Sequence, residues 1–168
     1  MIRVAKLLAK TLTSQIKKKI ATERNDPKTN EVVVLCSVDK AGYPHFSLLN
    51  FLDIAVATNK KIVFAVGKSS STAKNMIDRG RATFAFWMDA NLGSLVYLKG
   101  TVRRGRFQTA NVEGFETSPF IMTLQSVLED ASPKSKVLST LTYGVEKINP
   151  DHLELSKQLS SIALKLRY

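Results

Sequence analysis

From residue 32 to residue 103 the chain alternates short, β-branched apolar runs with clusters of turn residues, and this spacing most constrains what it can fold into. Residues 32–38 read VVVLCSV. Asp39-Lys40-Ala41-Gly42 supplies a turn, and an extended run follows over 44–49. Residues 51–57 continue that run or form a further strand; Thr58-Asn59-Lys60-Lys61 is a polar turn, and 62–66 is a short strand. Strands over 82–88 and 94–103 flank the turn-rich segment 89–93, and residues 106–113 are expected to complete a hairpin. Strands joined by turns this tight pair antiparallel. An antiparallel sheet of six or seven short strands leaves no exposed edges when it closes on itself, so a small barrel is the expected architecture.

Helical spacing marks the other segments. Ala73, Met76 and Ile77 recur at i, i+3, i+4 between a run of hydroxyl residues and Gly80, which predicts a capped helix over 71–79. Phe120, Leu124, Val127 and Leu128 predict a helix over 117–131, closed by Pro133. A last β section is expected over 137–148. Asn149-Pro150-Asp151 then turns the chain into a short strand at 152–155, and Leu159, Ile162, Ala163 and Leu166 make 156–168 a helical tail. Near the start, Leu7, Leu8, Leu12, Ile16 and Ile20 predict one or two basic amphipathic helices. No internal repeat or linker divides the chain. It reads as one domain, with a basic helical segment at 1–28, a barrel over 30–155 and the tail.

The 168 residues carry 25 Lys+Arg against 14 Asp+Glu, a formal charge of +11. This excess implies an anionic partner: nucleic acid, an anionic membrane surface or a phosphorylated ligand. It is concentrated in residues 1–24 and around Lys99, Arg103, Arg104 and Arg106. The N-terminal segment is either a membrane-, transit- or nucleic-acid-binding element or a helix capping the domain with its lysines in solvent. Lys6 and Lys10 break any signal-peptide apolar run. A single cysteine fits a reducing, cytoplasmic compartment, and with two histidines it is too little for a structural zinc site, so no metal is expected.

The familiar catalytic patterns are absent: no Walker-A loop, no G-x-G-x-x-G, no G-x-S-x-G. Cys36 lies within a strand and reads as an inert thiol; His152 reads as a surface residue. His45, after Pro44, either faces a ligand or is structural. Asp39 and Asp53 have no obvious partner for acid–base work. No catalytic side chain is assigned, so the chain is a binding module or an enzyme whose cofactor does the chemistry. The best candidate site is Lys68-Ser69-Ser70-Ser71-Thr72, where free amides at a helix start, hydroxyls, Lys68 and Lys74 favour an anion.

The ordered blocks resemble a known family. The run from Val33 to Ser47, the strand Ile62-Val63-Phe64-Ala65-Val66 with its Ser-rich turn and Ala73-Lys74-Asn75-Met76, the segment Leu98-Lys99-Gly100-Thr101-Val102, and the stretch from Tyr143 to Leu155 together resemble the FMN-binding split-barrel family, which includes pyridoxamine 5'-phosphate oxidase. The resemblance spans about residues 30–155. It implies a mainly β fold, a split antiparallel barrel of Greek-key type with two to four flanking helices, and a homodimer with the flavin at the interface. It implies an FMN-dependent oxidoreductase acting on a small molecule. By position it puts His45, Ser47 and Leu48 beside the flavin, Val66 and Gly67 under the ring, and Ser70, Ser71, Thr72, Lys74 and Asn75 at the phosphate. Many relatives place Arg and Lys where this chain has Ser71 and Thr72. That departure leaves FMN, a deazaflavin or no cofactor open, and with them a non-catalytic ligand-binding barrel or a nucleic-acid- or membrane-binding module. Beyond Arg167 there is no C-terminal arginine motif, so oxidation of vitamin B6 itself is not expected.

Overall fold

The computed structural model describes residues 5–26, 31–88, 94–131, 141–143 and 149–167. In chain order they form β1 (Lys6–Ala9), α1 (Ser14–Asn25), β2 (Val32–Val38), β3 (Pro44–Asn50), a 3₁₀ turn (Phe51–Asp53), β4 (Ile54–Val56), β5 (Lys61–Gly67), α2 (Ser71–Arg79), β6 (Arg81–Trp87), β7 (Ser94–Arg104), β8 (Thr117–Ala131) and α3 (Pro150–Lys165). All described pairings are antiparallel, in the order β3-β2-β6-β7-β8-β5-β4, with β1 added along β8. The two ends of that order, β3 and β4, are consecutive in the chain and joined only by the 3₁₀ turn. The sheet therefore curls until its edges meet, and the fold is the split barrel with flanking helices.

Alternation along the strands fills the interior. Phe64, Phe84, Phe86, Phe120, Leu98 and Met122 point inward together with Phe51, Ile16 and Ile20 from the turn and α1. Phe64 meets Phe84 edge-on at 4.9 Å and stacks on Phe120 at 5.8 Å. β5 is buried on both faces, since Val63 and Ala65 look outward to Leu155, Leu159 and Ile162 of α3. Each of these α3 side chains contributes about 1.5–3 kcal/mol by leaving water.

Four segments differ from the sequence-based expectation. Residues 117–131 are a 15-residue strand and not a helix. β8 is the long central strand, pairing β7 along one edge and β5, then β1, along the other. A bulge lies opposite the Lys99–Gly100 step of β7, where Lys99 pairs Ser126 and Gly100 pairs Leu124. The extra residue shifts the inward series from Phe120, Met122, Leu124 to Val127, and the spacing 120, 124, 127 imitates a helix. Gly100 is required there: a Cβ would stand 2.4 Å from the Thr123 carbonyl oxygen and 2.7 Å from Met122 Cγ.

The second difference is at the C-terminus. Residues 152–155 are helical, because Asn149 caps the Asp151 amide and Pro150 sits in the first turn, so α3 starts where a turn and strand were expected. The third is at the N-terminus, where Lys6–Ala9 is a strand and the helix begins only after Thr13, whose hydroxyl accepts from the Ile16 amide. The fourth is residues 106–113, where the expected hairpin strand is instead a loop with one isolated bridge, Val112 to Phe115, turned by the positive φ of Glu113 and Gly114. The expected β section over 137–148 lies outside the described residues except for 141–143, where Thr142 bridges Glu31.

Part of the N-terminal charge is structural. Lys19 bonds Glu23 at 3.0 Å, pairs with Glu31, and lies 5.7 Å from the Phe51 ring centroid. Burial pulls its pKa down, but the two carboxylates outweigh this and the net shift is upward. Arg24 donates to the carbonyls of Leu52 (3.2 Å), Ile54 and Ser156 and to Ser160 Oγ (2.9 Å). Burial lowers its pKa to about 10, opposed by the charge of Asp53.

Asp53 is buried beside that guanidinium. Its carboxylate accepts from the Asn50 amide at 2.9 Å and lies 3.8 Å from His152 Nε2, so His152 is a half-buried partner and not a plain surface residue. Burial raises the Asp53 pKa, against the opposing pull of Asn50, His152 and Arg24. Tyr143, pushed up to about 12 by burial and by Asp53, completes the group. A folded-state pKa above the unfolded one stabilises fully below the unfolded value, and that contribution is lost as pH rises through the folded value. Asp53→Asn is therefore expected to flatten the stability profile, the wild type losing stability relative to it as pH rises above about 4. Urea midpoints between about pH 4 and pH 8 check this; a wild-type profile no steeper than the variant's would contradict it.

Candidate functional site

α2 begins where β5 ends. The Ser70 amide donates to the Gly67 carbonyl at 3.1 Å, and Ser70 Oγ accepts from the Ala73 amide at 3.1 Å, so the N-cap is the one the sequence indicates. The amides of Ser71 and Thr72 lie in the first turn and have no helical acceptor. Gly80 ends the helix in the left-handed conformation, its amide bonding the Met76 carbonyl. Ala73 and Met76 anchor the buried side of α2 in the barrel core.

Two polar links fix α2 against β2 and β3. Thr72 Oγ1 and Ser47 Oγ are hydrogen-bonded to each other. Asn75 Nδ2 donates to Ser37 Oγ at 3.2 Å, and Ser37 Oγ donates to the His45 carbonyl at 3.5 Å. Ser37 and His45 are directly opposed in the β2–β3 register, so alternation alone carries Ser37, His45 and Ser47 to the helix side of the hairpin. At the other end of α2, the Arg79 guanidinium donates to the Lys40 carbonyl at 2.6 Å and Lys40 Nζ lies 3.8 Å from Asp78. These contacts frame a cleft of about 400 Å³ whose lining includes His45, Ser71, Lys74 and Asn75.

Of the ten residues marked by the sequence, the structure gathers seven around this helix start: His45, Ser47, Ser70, Ser71, Thr72, Lys74 and Asn75. Gly67 adjoins them through its carbonyl. Two residues stand apart. Leu48 points to the opposite face of β3 and is 53 % exposed, and Val66, 6 % exposed, belongs to the barrel core. The sequence reading missed Ser37, although its inward parity on β2 was available. It also missed Asp39, Lys40 and Asp78 on the cleft wall, which only the helix–hairpin packing brings near. Cys36 is half-buried and burial pushes its thiol pKa up, so the thiolate is disfavoured.

The donor set suits a phosphate monoester. Ser71 and Lys74 are exposed at the cleft, first-turn amides point outward, and the helix dipole adds positive potential. Thr72 and Asn75 are buried and serve the helix–sheet contact. No group of His, Cys, Asp and Glu among the described residues is placed to hold a metal ion, and no described helix is long and apolar enough to cross a membrane.

Comparison with known proteins agrees with this architecture. The family profile of pyridoxamine 5'-phosphate oxidase matches residues 16–115. No curated protein matches the chain. Among solved structures, the chain is similar to HupZ of Group A Streptococcus with a TM-score of 0.52 at 16% identity, covering 79% of this chain and 99% of that one. It is similar to a Lactobacillus delbrueckii protein provisionally assigned as a pyridoxamine 5'-phosphate oxidase, TM-score 0.54 at 14% identity, covering 74% and 98%. A Bacteroides thetaiotaomicron protein provisionally assigned to 5-nitroimidazole antibiotic resistance aligns with a TM-score of 0.52 at 7% identity, covering 78% and 89%. At these identities the likeness to solved structures concerns the fold.

Replacing Asn75 by leucine is expected to lower stability by about 1–3 kcal/mol, because the buried Ser37 hydroxyl loses its donor. Lys74→Ala, one position away and exposed, should stay within about 0.5 kcal/mol. Urea denaturation of both variants measures the difference.

Proposed function

The chain belongs to the pyridoxamine 5'-phosphate oxidase family, and from that premise we propose that it binds a flavin, FMN, and acts as a flavin-dependent oxidoreductase on a small molecule. The observation that carries the proposal is the start of α2, where the hydroxyls of Ser70 and Ser71, first-turn amides and Lys74 converge beside a cleft floored by His45. Ser71, Lys74 and the amides hold the phosphate. The Ser47–Thr72 and Ser37–Asn75 links keep the helix start fixed on the sheet, so these donors are preorganised. When bound, the flavin supplies hydride and electron transfer, and no side chain of the chain is needed as a general acid or base.

Titration with FMN is expected to raise the melting temperature and quench flavin fluorescence. Riboflavin, which lacks the phosphate, should bind more weakly, and Lys74→Ala should weaken FMN by about tenfold, the loss of one charge-assisted contact. A protein that takes up neither FMN nor a deazaflavin analogue, and gains no thermal stability from either, would overturn the proposal.

The same reading includes a homodimer. Its support is the outer face of the β2–β3 hairpin, where Phe46 (63 % exposed) and Leu48 on the edge strand β3 continue with Tyr43 (70 % exposed) of the turn and Val38 of β2 as an apolar strip. Sedimentation of the wild type at micromolar concentration should give a dimer, and Phe46→Glu with Leu48→Glu should give a monomer. A monomeric wild type would refute this part.

A further inference from the structure

A second cleft, larger than the one beside α2, lies where β5, β7 and β8 come to an end. Its volume is about 710 Å³, within the range of small-molecule sites. The register explains its contents. β7 ends at Arg104, paired with Phe120 of β8, and the Gly105 amide then donates to the Pro119 carbonyl at 2.8 Å. On the other side of β8, Gly67 pairs Thr117, and the Lys68 amide donates to the Glu116 carbonyl at 2.8 Å. Three strand ends therefore deliver Lys68, Arg104 and, one residue past Gly105, Arg106 to a single concavity.

The far wall is the loop 105–116, and it is built rather than loose. The Thr117 hydroxyl lies 2.8 Å from that of Thr109 and 2.7 Å from the Ala110 carbonyl. The Ala110 amide donates to Gln158 Oε1 of α3 at 2.6 Å, and Phe107 and Val112 pack against the α3-side core. Gly105 is close-packed, since a Cβ would stand 3.2 Å from Phe107 and 3.4 Å from Pro119.

The charges are not neutralised in place. Arg104 Nη2 donates at 3.2 Å to Ser118 Oγ, a buried neutral hydroxyl that steadies the guanidinium. Among the described residues, neither Arg104 nor Arg106 is paired with a carboxylate. The one acidic residue on the lining, Glu116, meets Lys68 at 2.7 Å in a pair with both side chains well exposed. Such a pair is weak and exchangeable. The cleft thus carries three cations against one anion, with Thr117 and Ser118 hydroxyls beside them.

We infer that this cleft binds the phosphate or carboxylate group of a small molecule, through the Arg104 and Arg106 guanidinium forks with Lys68 as a mobile third cation. Two guanidinium groups suit a multidentate oxyanion, whose oxygens a fork engages in pairs. The site is separate from the flavin's phosphate-holding residues at Ser71 and Lys74, and it stands whether or not a flavin binds. A small oxyanion fits better than a nucleic acid, because the cations converge in one concavity of about 710 Å³ and the lining's aromatic ring, Phe107, is half-buried against the α3-side core.

Calorimetry of the full chain with inorganic pyrophosphate, at low ionic strength, tests this. One saturable site per chain is expected, weakened at least tenfold in Arg104→Gln/Arg106→Gln and in Arg106→Glu alone. Arg106→Glu changes an exposed residue and decides the matter should the double variant fold poorly by circular dichroism. FMN affinity, where present, should change less than twofold. The inference falls if pyrophosphate shows no saturable binding, or if both variants bind it as the wild type does. It also falls if FMN binding is lost in step with pyrophosphate binding, since the cleft would then hold the flavin's own phosphate. Tighter, steeply salt-dependent binding of a short single-stranded oligonucleotide at the same arginines would likewise overturn it.

Discussion

A split barrel has a seam, and here the seam is held by one half-buried guanidinium. β3 and β4 meet at the 3₁₀ turn without a ladder between them, so carbonyls that a closed sheet would satisfy must find other donors. Arg24 supplies them to Leu52 and Ile54, and in the same gesture to Ser156 and Ser160 of α3. The Asp53 carboxylate keeps the arginine charged in a place that disfavours charge, and His152 approaches from the start of α3. One cation therefore binds α1, the turn, β4 and α3 together. Its lowered pKa shows that the placement costs something, which the hydrogen bonds to several acceptors must offset.

Much of the barrel was legible because its strands obey simple patterns. β2, β3, β5, β6 and β7 lie within a residue or two of where the β-branched runs and turns put them, and α2 has both caps the sequence advertised. β8 was misread for a specific reason. A bulge adds one residue to an inward series, and a period of two interrupted once looks like a period of 3.6 over three apolar positions. The bulge is fixed by Gly100 on the neighbouring strand, a long-range cause that a local window does not contain. At the C-terminus the error was one of choice, since Asn-Pro serves both as a turn and as an N-cap followed by a first-turn proline.

The candidate site was partly legible for the same reasons. Hydroxyls at a helix start point to Ser70–Thr72 without any tertiary knowledge, and the family resemblance adds Ser47 by position. What could not be read is convergence across long sequence distances. Arg24 reads as one more N-terminal charge and Asp53 as a carboxylate without an obvious partner, because nothing local marks their convergence. Lys68, Arg104 and Arg106 were seen as charges in two separate clusters, and only the register of β5, β7 and β8 makes them neighbours. The excess of +11 thus divides into residues that hold the fold, such as Lys19 and Arg24, and residues such as Arg104 and Arg106 that no described carboxylate pairs.

The same division runs through the start of α2. Thr72, in the first turn of α2, is buried, with its hydroxyl bonded to Ser47. A lysine there would have to place an ammonium between helix and sheet, where desolvation opposes it. A threonine instead spends its one polar atom on the sheet and stiffens the contact. Under the proposed function, the charge that a phosphate needs comes from the solvent side of the same turn, where Lys74, two residues on, is exposed at the cleft. Under the proposed function, anchoring and binding, which a single buried lysine would have to combine, are thereby separated onto Thr72 and Lys74.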